Sequence, residues 1–223
     1  ASSAKLLSET CAEDLPDDLE AISLCLSIYG IEYSPLEATL AGLLNRMEPD
    51  GKLFALLHHK ESVVAKMSSR AENEYHAPDI ENIHNALTTI HERLSQTGGI
   101  KGLKVDLQAE QARKLMNGMG NKYIKGADME TGNAFMADHV LSALRFFKVL
   151  GKKASIRAKF ISELAEEAYG ARERHRQMLS VAKDATQMRS LAEDLATMGW
   201  SKVETSLLED KEGIIGWTLA ATA

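Results

Sequence analysis

Apolar residues recur every three or four positions along most of this chain, and that spacing restricts its fold more than any other feature. Leu19, Ile22, Leu26 and Tyr29 form one such stripe, which would share a single helical face. Asp17 and Asp18 precede it as a start signal, and Gly30 follows as a stop. Cys25 joins the stripe and reads as a buried thiol in a core. Ser34-Pro35-Leu36-Glu37 reads as a capping box with Pro at the first helical position. It opens a stripe at Leu36, Leu40, Leu43 and Leu44. Glu48-Pro49-Asp50-Gly51 reads as a turn, followed by a helix from Leu53 to His59 that extends toward Ala71. Pro78-Asp79 starts another helix, with Ile80, Ile83, Leu87, Ile90 and Leu94 on one face.

The same period continues beyond Gln96-Thr97-Gly98-Gly99, the clearest break in the chain. Leu103 to Leu115 reads as a helix, and Asn117-Gly118-Met119-Gly120-Asn121 as a loop. Asn133 to Leu150 is a strong helix closed by Gly151. Ala154 to about Lys183 is the next, and a separate helix follows a bend near Asp184 and ends at Gly199. Only 5% of residues are aromatic while Met reaches 9, which favours helices packed with aliphatic side chains. The expected fold is therefore all-α, with two helical-bundle domains in series. An acidic N-terminal helical domain spans 1–97, and a basic middle plus C-terminal helical domain spans 98–223. The tail from Trp200 reads equally as a β-hairpin or as a short amphipathic end.

Charge is unevenly placed. The net is −6. Residues 1–100 carry 7 Lys+Arg against 16 Asp+Glu, a net of −9; residues 101–160 carry 12 against 5, a net of +7; residues 161–223 carry 7 against 11, a net of −4. The basic middle holds two groups. Lys101, Lys104, Arg113, Lys114, Lys122 and Lys125 surround the glycine-rich segment, and Arg145, Lys148, Lys152, Lys153, Arg157 and Lys159 surround a helix–helix turn. Such groups suit an anionic bilayer, where each cation contributes about 1 kcal/mol, or the phosphates of RNA. Few aromatic side chains accompany them, so backbone or lipid-phosphate binding is expected over base readout.

Catalytic signatures are sparse. There is no phosphate loop, no GxGxxG after a strand, no GxSxG and no HExxH. His58 and His59 are adjacent, and His84 and His91 lie about two helical turns apart, so neither pair suits one metal ion. Cys11 and Cys25 cannot build a disulfide framework or a four-cysteine metal site. No run of about 18 apolar residues exists. The first residues lack the basic-then-apolar order of a signal peptide, and Ala1 offers no myristoylation glycine. The tail is similar to the last hairpin of class I methyltransferases, but the fingerprint those enzymes need for their cofactor is absent. The expectation is a non-enzymatic protein with no cofactor, no metal and no small-molecule substrate.

Residues 134–178 carry a further resemblance. An apolar stretch, Ala134 to Leu150, ends at Gly151, and a second helix runs into His175-Arg176-Gln177-Met178. This resembles the matrix proteins of orthomyxoviruses, with Arg113-Lys114-Leu115 resembling the start of that family's basic motif. The family's compact basic run is broken here by Met116-Asn117. Its Cys-Cys-His-His cluster is missing, because residues 154–178 hold no Cys and only His175. The resemblance is to a distant member. It implies a viral structural protein that polymerises under the envelope, binds anionic phospholipid and links it to ribonucleoprotein or RNA. It also implies a location on the inner face of the virion envelope, in the host cytoplasm and at the plasma membrane inner leaflet, with the nucleus left open.

Charge suggests how copies would join, with the acidic domain of one docking head to tail on the basic middle of the next. His58, His59, His76, His84 and His91 are the candidate pH sensors. Protonated below about pH 6, they would loosen that docking. The alternative readings are an RNA-packaging nucleoprotein, which would co-purify with nucleic acid, and a non-viral helical adaptor.

Overall fold

The stripe at Ile22 and Leu26 belongs to a β-strand. The computed structural model describes residues 13–16, 19–125 and 134–223. Cys11, Asp17, Asp18 and Asn133, used above, lie outside them. The fold is mixed α/β, which corrects the all-α expectation. Strand β1 spans Ile22–Ile28 and β2 spans Met47–Leu57. Strands β3, Ser201–Asp210, and β4, Gly213–Thr222, form the C-terminal hairpin. They make one sheet in the order β1-β2-β4-β3. β1 and β2 run parallel, while β4 is antiparallel to both β2 and β3.

Two periods compete in Ile22–Ile28, and the strand period wins. Leu24, Leu26 and Ile28 alternate with Ser23, Cys25 and Ser27, so one set faces each side of the sheet. Cys25 packs against the core, and burial pushes its thiol up. Leu53, Ala55 and Leu57 of β2 sit on that covered face with Leu219 and Ala221 of β4. The expected helix over Leu53–His59 is therefore a strand, as short apolar runs permit. The expected turn at Glu48–Gly51 becomes an irregularity inside β2. Ile22 pairs with Met47 but Leu24 with Lys52, so the residues between are extruded from the ladder.

Helix α1, Leu36–Leu44, connects β1 to β2, the crossover a parallel pair requires. Its N-cap position is Pro35 and no side chain caps it, so the expected capping box is not formed. Ser34 Oγ instead donates to Ile31 O at 2.6 Å and accepts from Thr39 Oγ1 at 2.7 Å. Leu40 and Leu43 pack on the sheet beside Met188, Leu191 and Leu195 of a later helix.

Between β2 and β3 come helices only, among the described residues: α2 (Val63–Glu74), α3 (Ala77–Gln96), α4 (Ile100–Leu103), α5 (Leu107–Met119), α6 (Ala134–Leu144), α7 (Phe146–Val149), α8 (Ala154–Val181) and α9 (Ala185–Met198). The expected loop at 117–121 continues α5 into a π-helical turn, Gly120–Ile124. The single helix expected over 133–150 is α6 and α7 with a break at Arg145. The bend near Asp184 is real. Asp184 and Gln187 form a reciprocal capping box at the start of α9, and Gly199 ends that helix with a φ of 111, the left-handed cap that favours glycine.

Two compact units result. Unit 1 comprises 1–67 and 177–223; unit 2 comprises 68–176. The expected boundary at 97/98 falls inside unit 2, where α3 packs against α5 across it. Unit 1 holds the sheet and its core. Unit 2 has its own core of Ile83, Leu87, Ile90, Met116, Met136 and Phe146. Each such side chain taken from water stabilises by roughly 1.5–3 kcal/mol.

Candidate functional site

In an open sheet with parallel strands, ligands bind outside the carboxyl ends of those strands. In unit 1 that place follows Ile28 and Leu57. Tyr29 leaves β1 with a φ of 53, a left-handed conformation uncommon for a residue with a side chain. Its N–H donates to Leu56 O at 2.8 Å and its hydroxyl to Ile215 O at 3.1 Å. A 3-10 turn over Ile31–Tyr33 follows. Ser27 Oγ accepts from Ile31 N at 2.9 Å and fixes the turn to the strand.

That turn sets Glu32 below the end of β2. Its Oε1 accepts from the backbone N–H of His58 at 3.1 Å. Tyr29 stacks on the His58 ring with centroids 4.3 Å apart, and Tyr33 meets the same ring edge-on at 6.0 Å. Glu32 and His58 are both buried. Glu32 Oε2 and His58 Nδ1 are buried and have no hydrogen-bond partner among the described residues. Such groups are costly unless they serve a purpose.

Burial pushes the Glu32 carboxyl above the usual carboxylate range, partly offset by the His58 N–H and the charge of Lys183. Burial lowers His58, so its ring stays neutral further into acid. Burial and then the Glu32 charge push Tyr29 and Tyr33 up. Two titrating groups with perturbed affinities for protons thus sit together at a strand end, a pattern typical of working sites.

His59 closes the back of the cluster. Its Nδ1 accepts from Glu61 N at 2.8 Å, and its ring tilts over Trp217 at 5.0 Å. Lys183 N donates to His58 O at 2.9 Å, and Trp217 Nε1 donates to Lys183 O at 3.0 Å. The segment before α9 is thereby tied to the end of β2. Among the described residues, no three His, Cys, Asp or Glu gather in a way that could hold a metal ion.

The candidate residues from the sequence distribute differently. All twelve basic ones lie in unit 2. Arg113 pairs with Glu110 at 2.7 Å, Lys114 with Glu110 at 4.0 Å and Lys159 with Glu163 at 3.4 Å. Lys122 pairs with Asp79, which also accepts from Tyr123. Arg157 is buried. Its Nη1 donates to the carbonyls of Leu150 and Lys152, and its Nε to His91 Nδ1 at 3.4 Å. That guanidinium closes the end of α7 and is not free for phosphate. Lys101, Lys104, Lys125, Arg145, Lys148, Lys152 and Lys153 are exposed.

The five candidate pH sensors also separate. His58 and His59 belong to unit 1, and His76, His84 and His91 to unit 2. They are not the array of one acidic domain. His76 Nδ1 accepts from Asp79 N at 3.3 Å at the start of α3. Burial lowers His84 and His91.

The residues that sequence reasoning missed are Tyr29, Glu32 and Tyr33. Their signal was the strict alternation of Ile22–Ile28, which ends a strand at Tyr29-Gly30. Comparisons with family models, curated proteins and solved structures return no match. The sheet order and the cluster at its carboxyl edge define an open α/β protein with a large helical insertion.

Proposed function

We propose that this chain works as part of a group-transfer enzyme of the open α/β type, supplying the base that activates the acceptor, in a sheet whose tail resembles the last hairpin of the class I methyltransferases. The observation that carries the reading is the buried Glu32–His58 pair at the carboxyl end of β1 and β2, with two polar atoms that have no partner among the described residues. The sheet supports it as well. Strand β4 lies antiparallel between β2 and β3, an arrangement similar to the last hairpin of those enzymes. This departs from the non-enzymatic expectation.

Glu32 Oε2 takes the proton from an acceptor hydroxyl or amine, and its raised proton affinity makes it a better base than an ordinary carboxylate. His58 Nδ1 is the second buried atom available to an acceptor, and Tyr33 meets the His58 ring edge-on at 6.0 Å. The methyl donor of that class is S-adenosylmethionine. The glycine-rich turn that holds it is absent from this sequence, so the residues present do not make a full donor site, and no step is routed through the donor.

The test is transfer of labelled methyl from S-adenosylmethionine to a library of small hydroxyl and amine acceptors. The protein should label at least one acceptor, and Glu32→Gln and His58→Asn should each slow transfer at least tenfold. Absence of labelling by the protein, or full activity in both variants, would overturn the reading.

The envelope-lining reading has one observation in its favour. Lys101, Lys104, Arg145, Lys148, Lys152 and Lys153 are exposed in unit 2 and form no ion pair among the described residues. It predicts flotation with vesicles containing anionic lipid, lost at about 1 M salt where screening falls to about 3 Å.

A further inference from the structure

Unit 2 contains a cavity of about 430 Å³, within the range of about 300–1,000 Å³ typical of small-molecule sites. Four elements converge on it. Ile90 comes from α3, Ile100 and Leu103 from α4, Ala109 from α5, and Phe147 with Leu150 from α7 and its end. Its polar members sit together: Lys104 just past α4, and Glu110 and Arg113 on α5.

Sequence explains why α4 stands over this space. A Cβ at Gly102 would lie 2.1 Å from Thr97 O, so only glycine lets the short helix fold back against the end of α3. Gly99 N donates to Leu94 O at 3.2 Å. Arg93 Nε donates to Asp106 Oδ2 at 2.9 Å, and Asp106 Oδ1 accepts from Ala109 N at 2.9 Å. The α4 segment is pinned at both ends, with its apolar side chains over the cavity.

Charge at the cavity is unbalanced. Arg113 and Glu110 neutralise each other through two contacts of 2.7 Å. Lys104 is exposed and forms no ion pair among the described residues, so the polar end keeps one positive charge in excess.

We propose that this cavity binds a single-chain amphiphile with an anionic head, the chain lying among Ile90, Leu103 and Phe147 and the head meeting Lys104. An apolar lining gives affinity for the chain, and the one unmatched cation selects the sign of the head. The site shares no residue with the Glu32–His58 cluster, and its case is independent of the transfer reading.

The experiment is calorimetric titration of the whole protein with dodecanoate and with dodecylammonium, both below micelle formation. Dodecanoate should bind at least tenfold more tightly. Lys104→Glu should remove that preference, while Lys148→Glu, an exposed change outside the cavity lining, should leave it intact. Equal affinity for the two amphiphiles, or no binding of either, would overturn the proposal. So would binding seen only with anionic vesicles and not with monomeric dodecanoate, or loss of the preference in both variants.

Discussion

Glu32 keeps one carboxylate oxygen satisfied by the His58 N–H and leaves the other bare in a buried place. The folded state therefore resists its ionisation more than the unfolded chain does. The wild type should lose stability as pH rises from 4.5 through the raised folded value. Glu32→Gln should remove that loss, read as a flatter pH dependence of the urea midpoint; identical slopes would contradict it. His139 presents the opposite sign. It is buried and faces the His84 ring at 5.6 Å, and burial with the His84 charge, against the opposing charge of Asp138, lowers it to about 4. The unfolded chain takes up this proton from about pH 6.5, so stability should fall between there and pH 4, by up to ~3 kcal/mol. His139→Leu should blunt this acid loss in an equilibrium denaturation series, and unchanged acid sensitivity would rule it out. The residues with the most chemical content, Glu32 and His58, were only half legible: adjacency made His58 look like a poor metal ligand, and nothing local marks Glu32 as buried. Its environment is made by a strand end 26 residues away in sequence, through the pairing of β1 with β2.

At the scale of elements, glycines give a sharp contrast. Gly102→Ala should cost about 1–3 kcal/mol, because a methyl cannot fit beside the Thr97 carbonyl. Gly118→Ala meets nothing within 4 Å and lies in helix α5, so it should stabilise by roughly 0.5–1 kcal/mol. Thermal melts of the two variants decide both, and equal shifts would contradict the close approach at Gly102. The sheet carries an apolar face with Leu24, Leu26 and Ile28 exposed beside Phe54. Parallel strands are usually apolar on both sides, and this is why Ile22–Ile28 carried two readable periods. Leu19, Ile22, Leu26 and Tyr29 fit a helix by count, but the serines at 23 and 27 fit only the alternation. Long helices with caps, such as α3 and α9, were legible because Pro78, Asp184 and Gly199 mark their ends locally. The five-residue apolar run at Leu53–Leu57 was not, since a short buried strand and a helical turn share the same composition.

For the whole molecule, the decisive fact is that a helical unit lies between β2 and β3 in the chain while β4 pairs with β2. The register Lys52 with Thr222 through Leu57 with Trp217 joins residues about 160–170 positions apart. Sequence patterning shows periods but not partners, so a change of charge sign near Gly98 read as a boundary that the packing of α3 on α5 contradicts. The acidic and basic stretches do not mark units: the acidic stretch 1–100 is divided between the two, while the basic stretch 101–160 lies wholly in unit 2. The parallel pairing of β1 with β2 places His58 beside Glu32 and thereby makes the candidate site. The most direct measurement is the pH dependence of methyl transfer by wild type and Glu32→Gln, on whichever acceptor the library identifies. The wild-type rate should rise with pH along a limb displaced above the usual carboxylate range, and that limb should be absent from a variant at least tenfold slower. A variant as fast as wild type, or one that keeps the same limb, would show that Glu32 is not the base and that the carboxyl edge is not where the chemistry occurs.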